Sequence, residues 1–295
     1  MRRYTLAGFL AVLFWSTTIA FSRTLSEALG PFTTGAWVHC IAGLLGLAIA
    51  AQQKNGLKQY LAMPRRYLLG GGLLVIAYMT LLYLAIGLAR SRAQVLAVGL
   101  ANYLWPALIM LFSVPMQQKR PRLWLLPGIL LAVGGAWIAT LGSQGADWAS
   151  LFTAAGLLPV LLAVGAAILW GVYSNVARRW APAQGSAIPL FLLASGGVFV
   201  ALRILAGEAS HVTWQITPLL LYMAIFPAWL GYQLWDHAMQ RGDMLLVTAF
   251  SYFSPVFSTL ISILVLKVPF SPSIGLAALL VTLGAILSKM GVVDG

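Results

Sequence analysis

Between Ala93 and Met116 the chain carries no charged side chain, and in the middle of that run stands Asn102-Tyr103-Leu104-Trp105-Pro106. A run of this length and polarity reads as a helix that crosses a bilayer. Proline has no N–H, so Pro106 takes away the helical partner of the Asn102 carbonyl. In hydrocarbon that carbonyl must be met by protein, water or a ligand. The device returns between Met244 and Leu266, where Ser251-Tyr252-Phe253-Ser254-Pro255 frees the carbonyl of Ser251. Tyr103 and Pro106 stand 149 positions before Tyr252 and Pro255. Paired proline interruptions at matching places in two halves of a chain point to the midplane site of a transporter.

The remainder of the chain is of the same kind. Of 295 residues, 61% are hydrophobic and 8% charged, and the mean hydropathy is +0.90. Soluble domains carry about 25% charged residues. The expectation is an all-α polytopic membrane protein. Its ten transmembrane helices fall at about 5–22, 33–51, 67–88, 93–116, 123–141, 154–176, 186–206, 214–237, 244–266 and 272–290. Arg2-Arg3 before an apolar run imitates a signal peptide, but nine further runs follow and a small-x-small cleavage site is missing. The run is therefore read as the first span. The net charge of +12 is spread in short clusters between apolar runs, not along one face, so no nucleic-acid partner is expected. Cys40 is the only cysteine, which leaves no internal disulfide and no cysteine metal site. The sequence holds no Walker loop, so no ATPase subunit is expected, and a monomer is.

Loop charges set the orientation. With a cytoplasmic N-terminus, the inside segments hold Arg2, Arg3, Lys54, Lys58, Arg65, Arg66, Lys119, Arg120, Arg122, Arg178, Arg179, Arg241 and Lys289. The outside segments hold only Arg23, Arg90, Arg92, Arg203 and Lys267. The positive-inside rule then places both termini in the cytoplasm.

The two halves correspond. At the offset of 149, Tyr103, Pro106, Leu111, Ser113, Gly135 and Ala136 fall on Tyr252, Pro255, Leu260, Ser262, Gly284 and Ala285. At 155, Trp15 falls on Trp170 and Arg23 on Arg178; at 152, Tyr83 falls on Trp235. This divides the chain into five-helix repeats at 1–143 and 153–292. Five is odd, so the second repeat enters the membrane inverted, the architecture of alternating access.

Two halves that each pair a Tyr-x-x-Pro helix with a Gly-bearing helix resemble the drug/metabolite transporter superfamily. Ser251 to Lys289 is similar to its repeat domain. Phe14-Trp15-Ser16-Thr17, Asn102 to Pro106 and Ser251 to Pro255 resemble the aromatic amino-acid exporters of the YddG type. The resemblance covers nearly the whole chain. It implies export of aromatic and other neutral amino acids across a bacterial inner membrane. One feature departs: many members carry a Glu after the Pro-bearing helix, and here the chain reads Lys267-Val268-Pro269 and Gln117-Gln118-Lys119. The role of that Glu does not carry over.

No enzyme constellation, cofactor fingerprint or metal cluster emerges. His39, His211 and His237 have no metal-ligand partner at i+3 or i+4. Glu27, Asp147, Glu208, Asp236, Asp243 and Asp294 lie in loops or near span ends. Asp236 is read as an interfacial partner of Arg241, and transport is therefore expected to be facilitative. Trp37, Tyr60, Tyr67, Trp124, Trp148, Trp180 and Trp214 fit an interfacial belt. Tyr78, Trp105, Trp170 and Tyr252 lie too deep for one. Ser251, Ser254, Ser258 and Ser262 share one helix face. Such a stripe serves either tight packing or a wet path, and the freed Ser251 carbonyl favours the path.

The expected substrate site is thus Trp15, Tyr78, Tyr83, Asn102, Tyr103, Trp105, Trp170, Tyr173, Ser251 and Tyr252, with Pro106 and Pro255 as helix breaks. Gly128, Gly134, Gly135, Gly275 and Gly284 would let the fifth and tenth spans pack as support. A flat ring stacks on Trp105 or Trp170, and an ammonium sits over an indole or against freed carbonyls. Rivals are export of another neutral metabolite or drug, a membrane enzyme, or a membrane sensor.

Overall fold

The computed structural model describes residues 2–53, 56–143, 153–182 and 185–293. Lys54, Asp147, Trp148 and Asp294 lie outside the described residues. The chain is helical throughout: α1 (Arg2–Ser16), α2 (Thr18–Leu29), α3 (Pro31–Ala51), the short α4 (Lys58–Leu61), α5 (Gly72–Leu88), α6 (Arg92–Asn102), α7 (Trp105–Gln117), α8 (Leu125–Ser143), α9 (Ala154–Trp180), α10 (Ile188–Leu205), α11 (Thr217–Met223), α12 (Tyr232–Arg241), α13 (Met244–Ser251), α14 (Ser254–Leu266) and α15 (Pro272–Met290). Two π-helical stretches, Tyr67–Gly71 and Ala224–Gly231, run directly into α5 and α12. Among the described residues the only strands are β1 (Arg120–Pro121) and β2 (Val292–Val293), which pair antiparallel.

Among the described residues, seven helices are long and apolar enough to cross a membrane: Arg3–Leu29, Pro31–Ala51, Tyr67–Leu88, Arg92–Gln117, Gly156–Trp180, Ile188–Leu205 and Pro272–Met290. Leu125–Ala139, within α8, and Ser254–Leu266 are apolar as well. The sequence leads to ten spans, and these seven helices fall on seven of them. The run from Met244 is cut at Tyr252-Phe253, as the run from Arg92 is at Tyr103-Leu104, and the run from Thr217 passes through a π-helical stretch. The outward faces carry bare apolar side chains such as Leu69 (74% exposed) and Leu264 (77%). In a polytopic protein such faces meet lipid.

Both Pro-bearing runs break, though not as kinks inside one helix. α6 ends at Asn102, Tyr103 and Leu104 turn, and α7 begins with Pro106 in its first turn. A first-turn N–H has no intrahelical partner anyway, so proline fits there without loss. α13 and α14 repeat this around Tyr252-Phe253 and Pro255. α7 and α14 are each 13 residues long. Each ends on a left-handed residue, Gln118 at φ 56° and Lys267 at φ 54°. Left-handed caps are usually glycine. Gln118 and Lys267 are the only non-glycine residues with positive φ among the described residues.

The closest helix crossing joins α8 to α15. Gly128 faces Gly284 and Ser288, Gly284 faces Ala132, and Gly135 faces Ala277 and Val281. With no Cβ at these points the backbones themselves touch, as small-residue membrane contacts allow. Gly134 has no neighbour within 4 Å, and Gly275 meets Phe270 instead. Three of the five expected support glycines therefore make the crossing. Adding a methyl at Gly284 drives it into the Ala132 backbone, an overpacking that costs about 1–3 kcal/mol. Gly284→Ala should lower the thermal midpoint of the detergent-purified protein by several degrees, followed by tryptophan emission. Gly134→Ala, with open space around it, should not.

Candidate functional site

The breaks bring aromatic rings together. Trp15, Thr18, Ile19, Tyr78, Leu82, Asn102, Tyr103, Trp105, Trp170 and Tyr232 line a cavity of about 20 Å³, room for a single water. Its walls are rings at contact distance. The Trp15 centroid lies 5.4 Å from Trp170, 4.9 Å from Tyr232 and 5.1 Å from Trp235. Trp105 meets Trp235 edge-on at 5.1 Å, and Tyr78 lies 4.9 Å from Trp170. Each such pair contributes about 0.5–1.5 kcal/mol beyond area burial. The closed cluster is thus held by interactions that a flat aromatic ligand can replace.

The polar atoms around it fall into two sets. Some are satisfied: the Trp15 indole N–H donates to the Pro227 carbonyl at 3.0 Å, and the Tyr103 hydroxyl donates to the Trp15 carbonyl at 3.3 Å. Others are buried without a partner: Asn102 Oδ1, Thr18 Oγ1 and Trp235 Nε1. A buried acceptor left unmet costs roughly 1–3 kcal/mol. Here two acceptors and one donor at the same cluster are left open for a solute with groups of both kinds.

Six of the ten expected substrate residues line this cavity: Trp15, Tyr78, Asn102, Tyr103, Trp105 and Trp170. Tyr173 stacks on Trp170 at 5.1 Å from outside it. Tyr83 lines a neighbouring void of about 10 Å³ with His39 and Tyr232. His39 lies buried between Tyr83 and Phe199, its Nδ1 2.8 Å from the Gly35 carbonyl. Ser251 turns its hydroxyl back to the Thr248 carbonyl, and Tyr252 is buried with its hydroxyl unpartnered. Neither lines the central cavity. Ser258 and Ser262 pack against Gly99, Leu100 and Tyr103 with no water-sized space between them. In this conformation the serine stripe is a packing face. Tyr232 and Trp235 complete the cluster and were missed as site residues. Their i, i+3 spacing just after Gly231 was the available signal.

Asp236 differs from expectation. It is fully buried, and its partners are not Arg241 but three neutral donors. The hydroxyls of Tyr67 and Tyr173 and the amide of Gln240 each donate to it at 3.0 Å. Arg241 instead donates to the Tyr4 hydroxyl. Tyr67 is accordingly no belt residue; it is 0% exposed. Asp236 thus fastens the π-helical stretch ahead of α5 and the last third of α9 to α12. At the opposite end of the bundle a second knot forms. Glu27 accepts from Arg23 and Arg92, Arg23 reaches the Ile86 and Ala89 carbonyls, and Arg92 reaches the Leu266 carbonyl. Arg178, the counterpart of Arg23, reaches the Met239 carbonyl beside the Asp236 knot.

The EamA-like transporter family matches residues 2–141 and again 157–290. The chain belongs to the EamA-like transporter family. Being of that family, it is a multi-pass membrane transporter, not an enzyme, and sits in a bacterial inner membrane. It is similar to the aromatic amino acid exporter YddG of Escherichia coli (strain K12), 29% identical over 289 residues, 97% of this chain and 96% of the relative. The proteins of the same name from Salmonella typhimurium and Ancylobacter novellus are 28% and 29% identical over 288 and 286 residues, again 97% of this chain and 96% of each relative. A solved crystal structure superposes with a TM-score of 0.75 at 28% identity, covering 98% of this chain and 97% of its own.

In this EamA-type transporter the cluster depends on one glycine. A Cβ on Gly231 would stand 2.8 Å from Trp15 Nε1. Gly231→Ala should therefore displace the indole and break its bond to Pro227. Trp15→Phe removes the same N–H and frees the space. A double-mutant cycle on the thermal midpoint should show the pair less harmful than the sum of singles, by on the order of 1 kcal/mol. Additivity would separate Gly231 from Trp15.

Proposed function

We propose that this transporter exports aromatic and other neutral amino acids by facilitative alternating access around the cavity of Trp15, Tyr78, Asn102, Trp105, Trp170 and Tyr232. The observation that carries the reading is the aromatic cluster closed on unmet polar atoms. An aromatic ring takes the place of the ring–ring contacts. An α-ammonium meets Asn102 Oδ1 and the Thr18 hydroxyl. A carboxylate meets the Trp235 N–H. The lining holds no arginine or lysine, so the carboxylate is held by neutral donors and affinity stays modest. The names carried by the three relatives, aromatic amino acid exporters, agree with this chemistry.

The membrane arrangement in this reading is ten spans in two inverted repeats, 1–143 and 153–292, with both termini cytoplasmic and a monomer as the working unit. Its support is the way contacts exchange. Gly128 corresponds to Ala277 and Gly135 to Gly284 at the offset of 149. The contact of Gly128 with Gly284 therefore maps onto that of Ala277 with Gly135, partners exchanged. The contact of Ala132 with Gly284 maps likewise onto that of Val281 with Gly135. Such exchange is what a two-fold axis through the α8–α15 crossing produces. The twin caps at Gln118 and Lys267 obey the same offset. With this orientation the Asp236 knot closes the cytoplasmic end and the Glu27 knot the outer end. Loading and release then alternate by loosening one while the other holds.

Proteoliposomes holding the purified protein should take up labelled phenylalanine, tryptophan and threonine saturably, without a pH gradient. Uptake that requires a gradient overturns the facilitative part. Trp105→Ala should lower flux at least tenfold per folded molecule, with Trp105→Phe retaining much of it. Wild-type flux in Trp105→Ala would remove the aromatic cavity from the mechanism. Asp236→Asn keeps an acceptor oxygen for one of the two phenols and turns an amide N–H toward the hydroxyl oxygen of the other; it should keep downhill flux, and loss of flux together with loss of proton movement would make the carrier proton-coupled.

A further inference from the structure

The central cavity is too small to hold an amino acid in this conformation, yet a second void is not. It measures about 440 Å³ and lies where α3, α4, the approach to α10 and α12 meet. Small-molecule sites run from about 300 to 1,000 Å³. Its polar lining is Gln53, Gln59, Tyr60, Ser186, Gln233 and His237. No Asp, Glu, Lys or Arg is among the described residues that line it. Burial pushes the Tyr60 phenol up, so it remains a neutral donor. Such a lining has no cation to hold an anion and too many polar groups for a lipid chain. It suits a net-neutral solute that carries donors and acceptors at once, the character of a zwitterion.

The position of the void gives it a role. Trp229, Gln233 and His237 follow one another at intervals of four residues, so they share one face of the helix that ends in α12. That face forms one wall of the void, and Trp229 adds an indole to it. Tyr232, on the next face, lines the central cavity, and Trp235 packs on its rings. Asp236, with its phenol partners, sits on the same short helix between the two. Gln233 Oε1 and His237 Nδ1 are buried without a hydrogen-bond partner. A turn of either side chain presents an unmet group to whatever enters.

We propose that this void is a second solute site, a loading site for zwitterionic amino acids on the side of the Asp236 knot, occupied before that knot opens to the central cavity. The inference rests on the transport reading above. The test is protection from alkylation. With Cys40→Ala as background, Gln59→Cys places the only thiol on the wall of the void, and its rate of reaction with a maleimide is measured in proteoliposomes. Phenylalanine should slow that rate at least threefold. Adding Gln233→Leu should abolish the protection, while adding Trp105→Ala should leave it. Protection lost with Trp105→Ala and kept with Gln233→Leu would make the void a corridor that merely follows the central site, and overturns the proposal. Phenylalanine flux in the Gln59→Cys protein without protection overturns it alone. Absence of phenylalanine flux in the wild-type protein overturns the transport reading, and this inference with it.

Discussion

A bilayer offers no hydrogen bond to a backbone, and the middle of this protein is shaped by that refusal. α6 and α13 each stop inside an apolar run, and a new helix starts after two intervening residues. Every group released there must be met inside the bundle or left at a cost. The turn at Tyr103 is met from α1, through its hydroxyl on the Trp15 carbonyl. The Trp15 indole is in turn met by Pro227, in a π-helical stretch where another proline loosens the backbone ladder. One helix break is thus tied to a second through a single tryptophan. The rings stand where they do because their polar ends are pinned to backbone that a regular helix would not have exposed.

The unmet atoms then acquire meaning. Asn102 Oδ1, Thr18 Oγ1 and Trp235 Nε1 are buried unpartnered beside a cavity that admits about one water. A folded protein keeps such groups only where something else compensates. The ring contacts of the closed cluster do so here, and a solute that supplies both a ring and polar ends can exchange with them. The same argument limits affinity. A solute must displace contacts that already stabilise the closed form, and only the surplus appears as binding. For a carrier this is an advantage, since a deep well at the centre would slow release.

What the sequence made legible follows from how local each cause is. Proline acts on the residues beside it, so the breaks near Asn102 and Ser251 could be placed from composition alone. The depth of Tyr78, Trp105, Trp170 and Tyr252 in their runs is also local; the first three meet around Trp15, while Tyr252 lies outside the cluster. Asp236 shows the opposite case. Its partners Tyr67 and Tyr173 lie 169 and 63 positions away, while the cation five residues on, Arg241, was the only partner the sequence offered. Tyr67, for the same reason, looked like a membrane-interface residue. Tyr232 and Trp235 were hidden differently. They follow the π-helical stretch Ala224–Gly231, and each wider turn rotates all later residues off a 3.6-residue wheel. The serine stripe is split by the break between α13 and α14, and its Ser258 and Ser262 face α6, not water.

The two knots bear on how such a bundle can move. Glu27 with Arg23 and Arg92 is partly exposed, and exposed ion pairs contribute about 0–1 kcal/mol. It opens easily. The Asp236 knot is dry and ties both α9 and the π-helical stretch ahead of α5 to α12 through two hydrogen bonds, with a third from Gln240 within α12. Hydrogen bonds to a charged group contribute about 1.5–3 kcal/mol, and breaking them in a dry site leaves the carboxylate unmet. The asymmetry has a direction. In the proposed orientation the outer end is the looser one, so the empty carrier rests closed toward the cytoplasm unless something lowers the cost of opening there. Tyr173 touches both ends of the problem, with its hydroxyl on Asp236 and its ring on Trp170. A solute that moves Trp170 therefore moves a ring bonded to the knot, so occupancy of the cavity and the state of the inner gate share one side chain.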